Sequence, residues 1–167
     1  MRPVLGAVAL VAAAGVLQLG VAPRMAVLGV KPDFLLLTVI GLALCRGTVA
    51  GGLAGAGAGL LEDIVVGQFL GVRAAAFALV GLGVARARTR LFGDQPLVPV
   101  AAALGGAALA EMASWALWRA AGLPLPLGQG LIRVVLPACL YNGLLAPLFP
   151  GWWVRRVQAR AGVNSGA

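Results

Sequence analysis

Histidine is absent from this 167-residue chain, which also holds only two cysteines and five acidic residues. The usual donor sets for zinc and haem are therefore missing, since no Cys pair stands at ligand spacing either. Cys45 and Cys139 fall within or at the ends of apolar runs, a placement that suits buried thiols better than a disulfide. No Ser-His-Asp set, Walker loop, CxxC or HExxH pattern occurs, so the common catalytic constellations are excluded. Charge is scarce as well, at 11% of residues, where ordinary globular domains carry about 25%. Little of the chain is left for a soluble domain.

Apolar residues fill the gap. They make up 61% of the chain, with a mean hydropathy of +0.99, against about 45–50% in ordinary domains. These values predict an all-α integral membrane protein. A span needs roughly 20 residues, so the length admits one compact bundle of about six transmembrane helices with short loops. The net charge of +8 does not point to nucleic acid. Arginine at helix ends is expected from the positive-inside bias, and no basic face is long enough to follow a duplex.

Taken in order, the first apolar run covers residues 4–22. It is long for the core of a secretory signal, and Pro23 stands where cleavage would be sought, so a retained helix is expected. Residues 34–45 rise only about 18 Å, short of a hydrocarbon core of about 30 Å. This span is expected to borrow residues 25–30 and to break at Lys31, Pro32 and Asp33, where proline removes a donor and restricts its predecessor. An interfacial turn holding a short helix is the favoured reading there. The sharper alternative is a discontinuous helix of the kind that lines transporter sites. Further helices are expected over residues 48–66, 72–85, 97–118 and 131–149, the last with Pro137 inside it. Residues 1–154 then form the bundle, and 155–167 a short basic, polar tail.

Residues 47–71, GTVAGGLAGAGAGLLEDIVVGQFLG, stand out within this order. Gly47, Gly51, Gly55 and Gly59 recur every fourth residue, and each such step turns only about 40° beyond a full revolution of a helix. They share a face almost free of side chains, along which a second helix can pack closely. Glycine costs about 1 kcal/mol relative to alanine inside a soluble helix, so this density argues for a packing seam in lipid. The seam ends in two carboxylates, Glu62 and Asp63. These neighbours point about 100° apart on a helix, which argues against a general acid–base dyad, and no enzymatic role is expected.

Six spans place both termini on one side of the membrane. Arg2, Arg46, Arg86, Arg88, Arg90, Arg155, Arg156 and Arg160 then share that side, and Arg24, Lys31, Arg73, Arg119 and Arg133 lie opposite. The basic majority marks the cytoplasmic side. Asp33, Glu62, Asp63, Arg73, Glu111 and Arg133 consequently gather in the outer half of the bundle. A lone charge at the bilayer centre costs from about 2.5 kcal/mol upward, so these residues are expected to face inward and to pair. Asp63 with Arg73, and Glu111 with Arg133, are the expected pairs. The cluster reads either as an internal ion-pair network that fixes helix register or as an outward cup that binds a partner or ligand.

The order of motifs resembles a known family. PDFLLLTVIGLALCRG, followed by GGLAGAGAGLLEDIVVGQFLGVRAAAFALVGLGVARARTRLF, is similar to the rod shape-determining protein MreD family. The features shared are Pro32-Asp33 before a Leu-rich helix, the basic turn Arg46-Gly47, the GLL-x-D segment Gly59 through Asp63, the turn Gly67 to Gly71, and the arginines Arg86 to Arg90. The chain departs from that pattern at Glu62, where the family commonly has an apolar residue. The resemblance implies a non-enzymatic bacterial inner-membrane component of the cell-elongation machinery, with no cofactor. Its implied partners are the scaffold MreC and, together with it, MreB and the glycosyltransferase–transpeptidase pair that builds lateral peptidoglycan. The implied fold is similar to the substrate-binding subunits of energy-coupling-factor transporters. A rival reading, motivated by the broken second helix and the charged outer half, is a subunit that binds a small, vitamin-like molecule for a transporter.

Overall fold

A computed structural model describes residues 2–27, 29–67, 69–88, 97–123 and 134–148. Six α-helices lie among them, and no strand does: α1 Arg2–Gly20, α2 Phe34–Arg46, α3 Thr48–Val66, α4 Val72–Ala87, α5 Val98–Ala120 and α6 Leu136–Leu145. Two are long and apolar enough to cross a membrane, Thr48–Val66 and Val98–Ala120.

The hub is the shortest helix but one. α2 touches α1, α3, α4 and α5, and Phe34, Leu35, Leu36, Leu37, Val39 and Ile40 in its first two turns are all buried. A helix that is apolar on every side is stable only when neighbours cover every side. Asp33 starts it, its carboxylate accepting a hydrogen bond from the Leu36 amide at 2.8 Å. Pro32 thus precedes the helix and Asp33 caps its start, as a proline followed by aspartate suggests. The expectation that this span borrows residues 25–30 is corrected. Ala22–Met25 form a 3₁₀ turn, and Val27 pairs with Val30 in an isolated antiparallel bridge, so the chain doubles back instead of extending the helix.

α3 and α4 form an antiparallel hairpin, the most extensive packing in the bundle. Its tightness follows from glycine. A Cβ added at Gly55 would strike the carbonyl of Phe77, one at Gly59 the carbonyl of Arg73, and one at Gly81 the carbonyl of Gly51. The two backbones are in van der Waals contact along three turns, as small-residue seams permit. Gly47 shares the spacing but not the role. It has φ +84° and nothing near a would-be Cβ, and its N–H bonds to Ala43 to close α2 before α3 begins. Gly67 and Gly71, at φ +68° and +100°, make the turn at the other end of the hairpin.

α1 ends at Gly20, two residues short of the expected run. α6 spans Leu136–Leu145 with Pro137 near its start, directly preceded by a π turn at residues 134–135. The remainder of the expected 131–149 helix lies partly outside the described residues, as do Arg90, Asp94 and the tail from residue 149 onward.

Candidate functional site

The bundle is apolar on its outside as well as in its core, with a few polar side chains buried among the apolar ones. Large apolar side chains cover its outside: Val49, Leu53, Leu60 and Ile64 along α3, and Leu136, Leu140 and Leu144 along α6, are all exposed. The buried residues include Gln18, Asp33, Glu62, Asp63, Ser114 and Asn142. Every helix but α4 supplies one of these groups, α2 through its capping residue, and α4 adds the partly exposed Arg73.

The best-defined member is Asp63. Its carboxylate accepts hydrogen bonds from the backbone N–H groups of Gly71 at 2.8 Å, Arg73 at 3.1 Å and Ala74 at 3.3 Å. These are orphan donors at the start of α4, which has no side-chain cap of its own. An N-terminal helix turn leaves four N–H groups without helical partners, and an anion there also meets the positive end of the helix dipole. Asp63 therefore fastens the end of one helix to the start of the next across the turn of residues 67–71.

This capping redirects the arginine. Asp63 and Arg73 were expected to pair through their side chains, but the Asp63 oxygens are occupied by backbone. The Arg73 guanidinium reaches Glu111 on α5 at 2.8 Å, and it also lies over the ring of Phe77, 5.7 Å from its centroid. Glu111 is thereby engaged by α4, whereas its expected partner, Arg133, lies outside the described residues. At 18% and 15% exposed, Arg73 and Glu111 reach the surface of the bundle.

A second set of bonds holds the start of α2. Asn142 of α6 accepts the Asp33 backbone N–H at 2.9 Å, and Gln18 of α1 accepts the Phe34 N–H at 2.8 Å. Two long-range amide side chains thus replace helical partners that α2 lacks at its first turn. Neither Gln18 nor Asn142, nor the fully buried Ser114, was among the expected site residues. A sequence signal exists for Gln18, a lone polar residue late in an otherwise apolar run, whereas Ser114 stands three residues from Glu111 and Asn142 beside Tyr141. Asn142→Leu should leave the Asp33 N–H buried and unpaired, at a cost of about 1–3 kcal/mol. A lowered midpoint in thermal unfolding of the detergent-solubilised protein checks this, with Leu140→Ile on the exposed face as the unchanged reference.

Glu62 lies 4% exposed, within electrostatic reach of Asp33, Arg73, Lys31 and Glu111. Its Oε2 has no hydrogen-bond partner, and the same holds for Gln18 Nε2 and Ser114 Oγ. Among the described residues no three Cys, Asp or Glu side chains converge as metal ligands would. At the far end, Arg88 donates to the Leu44 carbonyl of α2, and Arg46 and Arg86 also sit at the C-terminal ends of α2 and α4. Arg119, in the last turn of α5, lies 5.4 Å over the Trp115 ring.

Among the described residues, an all-helical bundle with an apolar exterior and a small set of polar side chains buried in an apolar core is the class these features define. A family model for the rod shape-determining protein MreD matches residues 2–154, and the chain belongs to that family. Its role accordingly lies in rod-shape determination, as a shape-determining component. No curated protein matches the chain, and no solved structure does. The expected likeness to energy-coupling-factor subunits therefore has no structural comparison behind it.

Proposed function

We propose that the chain is a non-enzymatic membrane adaptor of the cell-elongation machinery. It spans the inner membrane with both termini cytoplasmic and holds the membrane-proximal part of MreC against its bundle. Through MreC it meets MreB and the glycosyltransferase–transpeptidase pair of lateral wall synthesis. One observation carries this reading: a member of a shape-determining family presents large apolar side chains outward while the carboxylates Asp33, Glu62 and Asp63 are buried. Exposed apolar faces of this extent mark contact with lipid or with another apolar surface. The arginines at the C-terminal ends of α2 and α4 fit a cytoplasmic location for that end, by the positive-inside bias.

The polar interior suits an adaptor. Asp63, Arg73 and Glu111 link α3, α4 and α5 at one end, so the outer faces of those helices are held as one rigid surface for a partner helix. Co-expression with MreC followed by affinity purification from membranes tests this directly. The two proteins are expected to elute together at a fixed ratio in mild detergent. Elution of this chain alone, with MreC recovered intact elsewhere, would remove the adaptor reading.

A further inference from the structure

The end of the bundle that holds Asp63 exposes charge of one sign. The close of α1, the start of α2, the α3–α4 turn and the later half of α5 meet there, joined by the Gln18–Phe34, Asp63–Gly71 and Arg73–Glu111 bonds. Arg24, Lys31 and Arg119 are exposed at this end. The chain has five acidic residues, and none offers an exposed carboxylate here. Asp33, Glu62 and Asp63 are buried, and Glu111, 15% exposed, is bonded to Arg73. The fifth, Asp94, stands in sequence between the end of α4 and the start of α5, both at the opposite end. Residues 124–133, which follow α5 in sequence, hold no acid and one more basic residue, Arg133. They can only add to the imbalance.

Each exposed cation stands beside exposed apolar surface. Arg24 lies in the 3₁₀ turn Ala22–Met25 and donates to the Gly20 carbonyl at 2.6 Å, closing α1. Met25 and Val27 just after it are exposed. Val27 and Val30 then exchange both backbone hydrogen bonds, at 2.9 and 3.0 Å, which brings the chain at Lys31 back toward Ala26. Arg119, over the Trp115 ring, has the exposed Leu117 two residues before it. At the mouth of a membrane bundle, such pairs suit the layer where headgroups meet acyl chains.

The single sign also selects among headgroups. A zwitterionic headgroup brings an ammonium with its phosphate, and no exposed carboxylate at this end receives it. A net-anionic headgroup meets attraction alone. Arginine adds two-point hydrogen bonding to phosphate, and one basic residue at a membrane surface favours anionic lipid by about fivefold.

We propose that this end of the bundle is a docking surface for anionic phospholipid. Arg24, Lys31 and Arg119 stand at the level of the phosphates, with Met25, Val27 and Leu117 in the acyl boundary. The contacts form two separate stretches of a rim, so no pocket is required. The surface stands whether or not MreC binds.

The full chain in phosphatidylcholine nanodiscs provides the test, with either phosphatidylglycerol or phosphatidylcholine carrying a photoreactive acyl chain at equal mole fraction. Crosslinks are mapped by peptide mass spectrometry. Labelling of residues 21–31 and of residues 115–120 is expected to be about fivefold higher with phosphatidylglycerol. Arg24→Gln combined with Lys31→Gln should bring residues 21–31 down to the phosphatidylcholine level while residues 115–120 keep their preference. Arg119→Gln should do the reverse, so each variant's untouched stretch reports that the bundle is still folded. Lys31→Gln alone, which keeps the Arg24 cap of α1, should lose part of the preference at residues 21–31. Equal labelling of both stretches by the two lipids in the parent would overturn the proposal. So would a preference that survives at residues 21–31 in the double variant and at residues 115–120 in Arg119→Gln.

Discussion

Gly55→Leu is expected to separate α3 from α4 and to abolish recovery of the folded protein from membranes. A Cβ at this position already collides with the Phe77 carbonyl, which is backbone and cannot rotate away. Leucine adds three further carbons on the line of closest approach. Overpacking in a well-filled interior typically costs about 1–3 kcal/mol when side chains can yield. Here the obstacle is the main chain of a helix held at both ends, so the cost should exceed that range. Gly57 supplies the control. It lies on the same helix, faces outward and has nothing near a would-be Cβ, so Gly57→Leu should leave yield and unfolding midpoint within error of the parent. Size-exclusion profiles of the two variants in mild detergent give the reading. Equal, monodisperse recovery of both would mean that α3 and α4 do not pack along this seam.

The second large effect belongs to Asp63→Ala. It removes the acceptor of three backbone N–H groups at once and leaves the first turn of α4 without a cap. Hydrogen bonds to a charged group contribute about 1.5–3 kcal/mol each, and the donors here have no cap side chain to replace it. A loss of several kcal/mol is expected, enough to open the α3–α4 turn. Asp63→Asn retains one acceptor oxygen but presents an NH₂ to the remaining donors, so it should fall between alanine and the parent. The order of unfolding midpoints, aspartate above asparagine above alanine, is the measurement. An alanine variant as stable as the parent would show that water or lipid headgroups cap α4 equally well.

These two effects mark what the sequence made legible and what it did not. α3 was readable to the residue, because glycine flanks it on both sides and both flanking glycines take positive φ. α2 was readable at its start from Pro32 and Asp33, a breaker followed by a cap, yet its length invited an extension that the Val27–Val30 bridge rules out. Four-residue spacing identified a small face on α3 but could not tell Gly47 from Gly51. Both fit the same period, and only the backbone angle separates a turn glycine from a seam glycine.

Charge pairing was the least legible feature. Asp63 and Arg73 flank one turn, so proximity in the chain suggested a direct bond. Backbone amides compete for the same carboxylate, and at a helix start they win on geometry because three of them point at one place. Arg73 is then free to span to Glu111, a residue thirty-eight positions away that no local pattern connects to it. Gln18 and Asn142 illustrate the same limit. Their side chains serve the backbone of α2 from the preceding helix and from a helix 109 residues away, and periodicity carries no information about such bonds.

Adaptor function makes the outer apolar faces the place to look. Photocrosslinking residues introduced singly at exposed positions of α1, α3, α5 and α6, in intact membranes with MreC co-expressed, would map what each face touches. A continuous stripe along one face, such as Leu53, Leu60 and Ile64 on α3 or Leu136, Leu140 and Leu144 on α6, should capture MreC while the other faces capture only lipid. Capture of lipid alone from every exposed position, in variants that remain folded and with MreC present, would contradict the adaptor.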